Sequence, residues 1–102
     1  MLVLKPNCEW CDKDLLANAT DAMICSYECT FCRECVEQIL NNVCPNCGGG
    51  LCERPIRPQK PHRKALSLID QPAATERVNT PYSKDQLADF INTLKKVPPN
   101  QR

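Results

Sequence analysis

The chain has 102 residues, a formal net charge of +1, nine cysteines, nine prolines and only five aromatic residues. So few large apolar side chains cannot build a sizeable buried core, and a small fold stapled by disulfides or metal is expected instead. The four residues before Lys5 and Pro6 exclude a secretory h-region, and no apolar run is long enough to span a membrane, so a cytoplasmic chain is expected.

In that compartment thiols stay reduced, and a dense cysteine array points to metal more than to disulfides. Full disulfide pairing of nine would also leave one thiol over. The near-zero charge is a sum of unequal parts. Residues 1–52 carry three cations against seven acids, 53–64 five against one, and 65–102 five against four, giving −4, +4 and +1.

Eight cysteines follow the pattern Cys8-x2-Cys11-x13-Cys25-x3-Cys29-x2-Cys32-x2-Cys35-x8-Cys44-x2-Cys47. A C-x-x-C turn brings two sulfurs to one side of a tight loop, within reach of one tetrahedral ion, and two such pairs close a site. Eight thiolates therefore suit two structural zinc ions with Cys52 left over. Three assignments compete. A sequential scheme groups Cys8, Cys11, Cys25 and Cys29, then the last four. A cross-brace joins Cys8 and Cys11 to Cys32 and Cys35, and Cys25 and Cys29 to Cys44 and Cys47. An iron-sulfur cluster on "CTFCREC" needs a fourth cysteine three residues on with proline following, and here Cys35 is followed by "VEQ". Between Cys35 and Cys44, Val36, Ile39, Leu40 and Val43 recur at helical spacing, with Asn41 and Asn42 near the expected helix end.

Residues 8–47 resemble a RING finger: "CTFCREC" is similar to its H-x-F-C-x-x-C stretch with Cys29 in the place of the usual His, and "CPNC" to its closing C-P-x-C. The resemblance implies a cross-brace, with Cys8, Cys11, Cys32 and Cys35 at site 1 and Cys25, Cys29, Cys44 and Cys47 at site 2. It also implies Phe31 in a small core and a short helix after the sixth ligand. Residues 1–52 further resemble a bacterial family of short cysteine-rich proteins that open M-L-x-L-[RK]-P-N-C and continue I-C-S-[FY]-E-C-T-F-C, here "MLVLKPNC" and "ICSYECTFC". That family brings no established activity.

RING ligases recruit their conjugating enzyme through an apolar residue between the first two ligands, an apolar helix position, a proline before the last ligand and often a base just after it. Trp10, Ile39 or Leu40, and Pro45 match; Gly48 does not. Trp10 is read equally as the lid of a zinc knuckle. Closed four-thiolate sites leave no ligand position for water, and the single imidazole, His62, reads as a solvated side chain rather than a ligand. "GGG" at 48–50 reads as a flexible exit from the last knuckle. Cys52 reads as a bystander.

Residues 53–64, "ERPIRPQKPHRK", alternate proline with cations and are expected to form an extended linker. Its Arg54, Arg57, Lys60, Arg63 and Lys64 would either be solvated, contact phosphate, or lie on the acidic finger. The tail, 65–102, reads as loop until about 83–97. There Ser83 and Gln86 make a capping box, Asp85 suits the first turn, Lys95 and Lys96 the last, and Pro98 stops an amphipathic helix. Leu87, Phe90, Ile91 and Leu94 share one face, which would pack back on the finger or on "ALSLI" at 65–69, or bind a partner.

The expected architecture is a small zinc-stabilised α+β domain over 1–52, RING-like, then the basic proline-rich linker and the amphipathic helix. Its expected function is a non-enzymatic zinc-binding module for protein-protein contact or self-association, with Trp10, Pro45 and the helix face as candidate contacts. A nucleic-acid regulator acting through the basic arm is the alternative. The finger itself is acidic, the opposite of what a phosphate backbone demands. A ubiquitin-type ligase or a thiol redox protein is a weaker third.

Overall fold

A computed structural model describes all residues, Met1–Arg102, and spans 46 × 26 × 18 Å. Three short strands form its sheet: β1, Ala22–Ile24; β2, Thr30–Cys32; and β3, Cys52–Glu53, in the order β2-β1-β3. Both pairings are antiparallel. Ala22, Met23 and Ile24 face Cys32, Phe31 and Thr30 on one side, and Met23 and Ile24 face Glu53 and Cys52 on the other. The β1–β2 turn closes where the Glu28 amide donates to the Cys25 carbonyl (3.0 Å), with Glu28 in the left-handed region at φ 67°.

Helix α1, Arg33–Cys35, runs straight into a π turn, Val36–Leu40. Asn41 and Asn42 stop it, both left-handed, a conformation that Asn tolerates better than other non-glycine residues. The expected helix thus begins ahead of the sixth cysteine and is wound wider than 3.6 residues per turn. That winding buries Val36 and Leu40 and leaves Ile39 41% exposed. Phe31, Leu40 and Val43 are fully enclosed and, with Leu15, Ala22 and Val36, make the apolar centre between the two groups of cysteines.

Helix α2, Lys84–Leu94, has the capping box: the Ser83 hydroxyl accepts from the Gln86 amide and the Gln86 side chain accepts from the Ser83 amide. Leu87 and Ile91 are buried in the same core as the finger, with Leu94 half-buried beside them. Burying an aliphatic side chain contributes about 1.5–3 kcal/mol, so these two leucine-sized anchors are the main force holding α2 down. Phe90, on the same stripe, stays partly exposed. A short 3-10 turn, Pro99–Gln101, follows.

Residues 53–64 differ from a free linker. Arg54 is 1% exposed, and its two terminal nitrogens donate to the carbonyls of Lys5 and Leu16, both at 2.9 Å. Arg57 donates to the carbonyls of Leu2 (2.7 Å) and Gln71 (2.6 Å). A guanidinium presents several donors in a rigid fork, so it can stitch separate loops together where no strand or helix does. Past them, Lys60, His62, Arg63 and Lys64 are exposed. The stretch 65–71 is also organised: the buried Ser67 hydroxyl bonds Asp70 and accepts from the Ile69 amide, and Gln71 bonds back to Ala65 and Ser67.

Candidate metal centres

Two C-x-x-C turns are built alike. In the first, the Cys8 amide donates to the Lys13 carbonyl (2.8 Å) and the Asp12 amide to the Cys8 carbonyl (2.9 Å). In the second, the Cys44 amide donates to the Gly49 carbonyl (2.8 Å) and the Gly48 amide to the Cys44 carbonyl (2.7 Å). The residue after each second cysteine is left-handed: Asp12 at φ 66°, Gly48 at φ 80°. This loop turns both sulfurs to its inner side.

The sheet hairpin then joins the turns in alternation. Cys32 ends β2 and Cys35 ends α1, and these two meet the first turn: the sulfurs of Cys8, Cys11, Cys32 and Cys35 all lie within 4.8 Å of one another. At the opposite end of the hairpin, Cys25 follows β1 and meets the second turn, with the Cys25, Cys44 and Cys47 sulfurs again mutually within 4.8 Å. The groups are therefore interleaved along the chain, with first and third pairs together.

Cys29 stands slightly apart. It is buried, its carbonyl accepts from the Cys25 amide (3.2 Å), and with Cys47, Tyr27 and Asn46 it lines one recess. It does not share the mutual closeness of the other three.

The sulfur geometry fits metal. All nine cysteines are free thiols, and Cys11 and Cys32 stand 3.8 Å apart. A disulfide would need about 2.05 Å. Four sulfurs at about 2.3 Å from a central ion lie about 3.8 Å from one another, the edge of the tetrahedron. Backbone amides are aimed at the sulfurs: Tyr27 N–H to Cys25 Sγ (3.3 Å) and Gly49 N–H to Cys47 Sγ (3.4 Å). Donors of this kind favour the thiolate.

Burial works in the opposite sense, pushing the thiols of Cys8, Cys35 and Cys44 above the ordinary value. At Cys35 the neighbouring thiols of Cys32, Cys8 and Cys11 push the same way, and at Cys44 those of Cys29 and Cys25 do. Cys11 and Cys25 are also raised by burial, but backbone amides and neighbouring thiols more than offset it and leave both lowered. Buried sulfurs crowded together without a disulfide are an unfavourable arrangement for bare thiols, and a cation among them removes the conflict.

One carboxylate ties the centres together. Glu9, 2% exposed, follows Cys8, and its side chain accepts from the Thr30 amide (2.5 Å), next to Cys29, and pairs with Lys5 (3.1 Å). The Glu9 amide donates in turn to the Thr30 carbonyl (2.8 Å). Glu9 escaped the sequence reading because nothing in its spacing separates it from the six other acids of the finger.

The remaining candidates scatter. Trp10 is half-buried beside Ile39 and α2, and Pro45 is buried. Leu87 and Ile91, expected to pack back on the finger or on "ALSLI" or to bind a partner, are turned onto this chain's own finger. Arg54 and Arg57 of the basic arm are occupied with main-chain carbonyls, while Lys60, Arg63 and Lys64 face solvent. No helix is long and apolar enough to cross a membrane.

Fold and sulfur geometry together define a small cysteine-rich domain with two clusters, of four and three residues, that can hold metal ions. The chain belongs to the family described as "Protein of unknown function (DUF1272)", whose model matches residues 1–57. It is 53% identical over 81 residues to an uncharacterised protein of Rhizobium meliloti (strain 1021), covering 79% of this chain and 89% of that one. No solved structure matches.

Proposed function

We propose that residues 1–52 are a RING-like cross-brace folded by two structural zinc ions, and that the chain is a non-enzymatic interaction module. The interleaved gathering of Cys8, Cys11, Cys32 and Cys35, with a tetrahedral-edge spacing between two of the sulfurs, carries this reading. Cys29 completes the second site with Cys25, Cys44 and Cys47, since it is buried, is tied to Cys25 through its main-chain carbonyl and shares a recess with Cys47. Soft thiolates in tetrahedral array favour zinc over hard cations. Four sulfurs per ion leave no position for a substrate or water, so the metal's role is folding.

Protein contact suits this domain better than nucleic acid. The finger carries −4 before any ion is added, and two of the five cations of the basic arm are taken up internally. Lys60, Arg63 and Lys64 remain for a weak phosphate contact.

Native mass spectrometry with elemental identification tests the proposal. Two zinc ions per chain, lost together with the folded signal on chelation, are expected. One ion, or iron with visible absorbance, overturns the cross-brace.

A further inference from the structure

The loop 65–71 is turned inside out. Ser67 is its fully enclosed residue, while Leu66 and Ile69 on either side of it face solvent, 59% and 75% exposed. A buried hydroxyl between exposed large apolar side chains inverts the ordinary pattern of burial. Hydrogen bonds hold the inversion in place. The Ser67 hydroxyl donates to Asp70 Oδ2 (2.9 Å) and accepts from the Ile69 amide (3.1 Å), and the Gln71 side chain donates to the Ala65 carbonyl (2.7 Å). The Leu68 amide reaches the Pro58 carbonyl (2.8 Å), and Arg57 fastens the base of the loop to the N-terminal segment through the carbonyls of Gln71 and Leu2. Ala65 is left-handed at φ 63°, a conformation that an alanine keeps only where its surroundings impose it.

Cations stand beside the two aliphatics. Lys60, Arg63 and Lys64 are exposed and none of them forms an ion pair, and the Leu66 amide donates to the Arg63 carbonyl (3.2 Å), so Leu66 closes the turn that carries two of them. Asp70, tied to Ser67, is the only acid between Glu53 and Glu76. At physiological ionic strength charge acts over about 8 Å, so a surface lying against this loop meets its cations rather than the chain's net +1.

Two further facts separate the partners that such a patch could take. No cavity is lined by any residue of 53–81, and no aromatic side chain lies between Phe31 and Tyr82. Nucleic-acid strands stack on aromatics and have no use for exposed leucine and isoleucine. Protein interfaces favour aromatics and disfavour lysine. An anionic bilayer asks for neither pocket nor aromatic: aliphatic side chains enter its headgroup boundary and cations meet its phosphates.

We propose that the loop 60–70 is a peripheral contact site for an anionic membrane surface, with Leu66 and Ile69 entering the headgroup layer and Lys60, Arg63 and Lys64 pairing with lipid phosphates. The contact is reversible, since two aliphatic side chains and three cations anchor far less firmly than a membrane-spanning helix. It lies outside the cysteine finger and does not depend on which metal the clusters hold.

Flotation of the full-length protein with vesicles tests this. Vesicles of equal parts phosphatidylglycerol and phosphatidylcholine are expected to carry the protein, and pure phosphatidylcholine vesicles to leave it behind. Each lysine or arginine near an anionic surface strengthens binding about fivefold, so the triple change Lys60→Gln, Arg63→Gln and Lys64→Gln should weaken it about a hundredfold. Leu66→Ser with Ile69→Ser should weaken it at least about tenfold. All five side chains are exposed, so both variants should keep the wild-type unfolding midpoint. Leu66→Trp should add a blue-shifted emission on the anionic vesicles that wild type, with Trp10 alone, does not show. Wild-type protein that stays behind with anionic vesicles overturns the site, and so do variants that float as wild type does. Binding that falls with the charge changes and ignores the Leu66 and Ile69 pair, with no emission shift, overturns insertion. Duplex DNA bound as tightly as the vesicles, at equal phosphate concentration, overturns the membrane as partner in favour of nucleic acid.

Discussion

The finger and the tail are folded by different means. In residues 1–52 the sheet is three short strands, and order comes from cysteine turns, one buried hairpin and a small core around Phe31. In residues 53–102 there is almost no core. Arginine forks, the Asn7–Val78 pair and two buried side chains of α2 hold the tail to the finger rather than to itself. The difference is one of dependence: the finger needs its sulfurs satisfied, and the tail needs the finger.

Chelation should break this most completely. If metal folds the finger as proposed, its removal leaves the two cysteine clusters unable to organise the hairpin and turns, and the platform under α2 goes with them. An isolated eleven-residue helix is marginal in water, so the far-UV helical signal should vanish in the same step. A helical signal surviving chelation would show a tail folded in its own right.

Leu87→Ala should separate the two regions instead of collapsing both. Leu87 is 4% exposed and stands at the junction, and truncating a buried leucine costs about 2–5 kcal/mol. We expect a protected finger with full metal content and a tail whose amides exchange freely, read by hydrogen exchange with mass spectrometry. Loss of metal on this change would show that the tail supports the finger as well.

Gly48→Ala acts at the same junction more gently. The residue is left-handed at φ 80°, costing about 1 kcal/mol for any side chain, and the added carbon meets Leu94 at 2.9 Å. Thermal unfolding should shift down by several degrees with metal content unchanged. An unchanged midpoint would mean that α2 does not press on the knuckle. The three glycines at 48–50 read as a flexible exit from sequence alone, yet Gly48 is buried and Gly50 packs against Pro99.

That contrast shows where sequence reading succeeds here. The cysteine spacing, the capping box at Ser83 and Gln86, and the stripe of Leu87 and Ile91 are local patterns, and local patterns survive folding. Interleaving of the sulfurs was one of three open schemes until the hairpin brought Cys32 to the first turn. Arg54 misled because proline and cations around it read as solvated linker, and the two carbonyls that it satisfies lie 49 and 38 positions away. Asn7 and Arg77 were silent for the same reason: their partners are about seventy residues off in sequence. The π winding of Val36–Leu40, which turns Ile39 outward, has no periodic signature at all.

The finest contrast lies inside the finger, between Cys29 and Cys52 as the proposed fourth ligand beside the cluster of Cys25, Cys44 and Cys47. Cys52 is exposed on the edge strand β3, but it pairs with Ile24, beside Cys25, and lines a groove of about 680 Å³ together with Cys25. Cys29 is buried, and its carbonyl accepts from the Cys25 amide (3.2 Å). Burial favours Cys29, because a structural ion needs desolvated ligands already in place. Cys29→Ser should therefore leave one tightly held ion, at Cys8, Cys11, Cys32 and Cys35, and Cys52→Ser should leave two with an unchanged unfolding midpoint. If metal stoichiometry falls with Cys52→Ser and not with Cys29→Ser, the second centre closes through the strand edge. The cysteine pattern would then depart from the cross-brace at the one position where the sulfur stands apart.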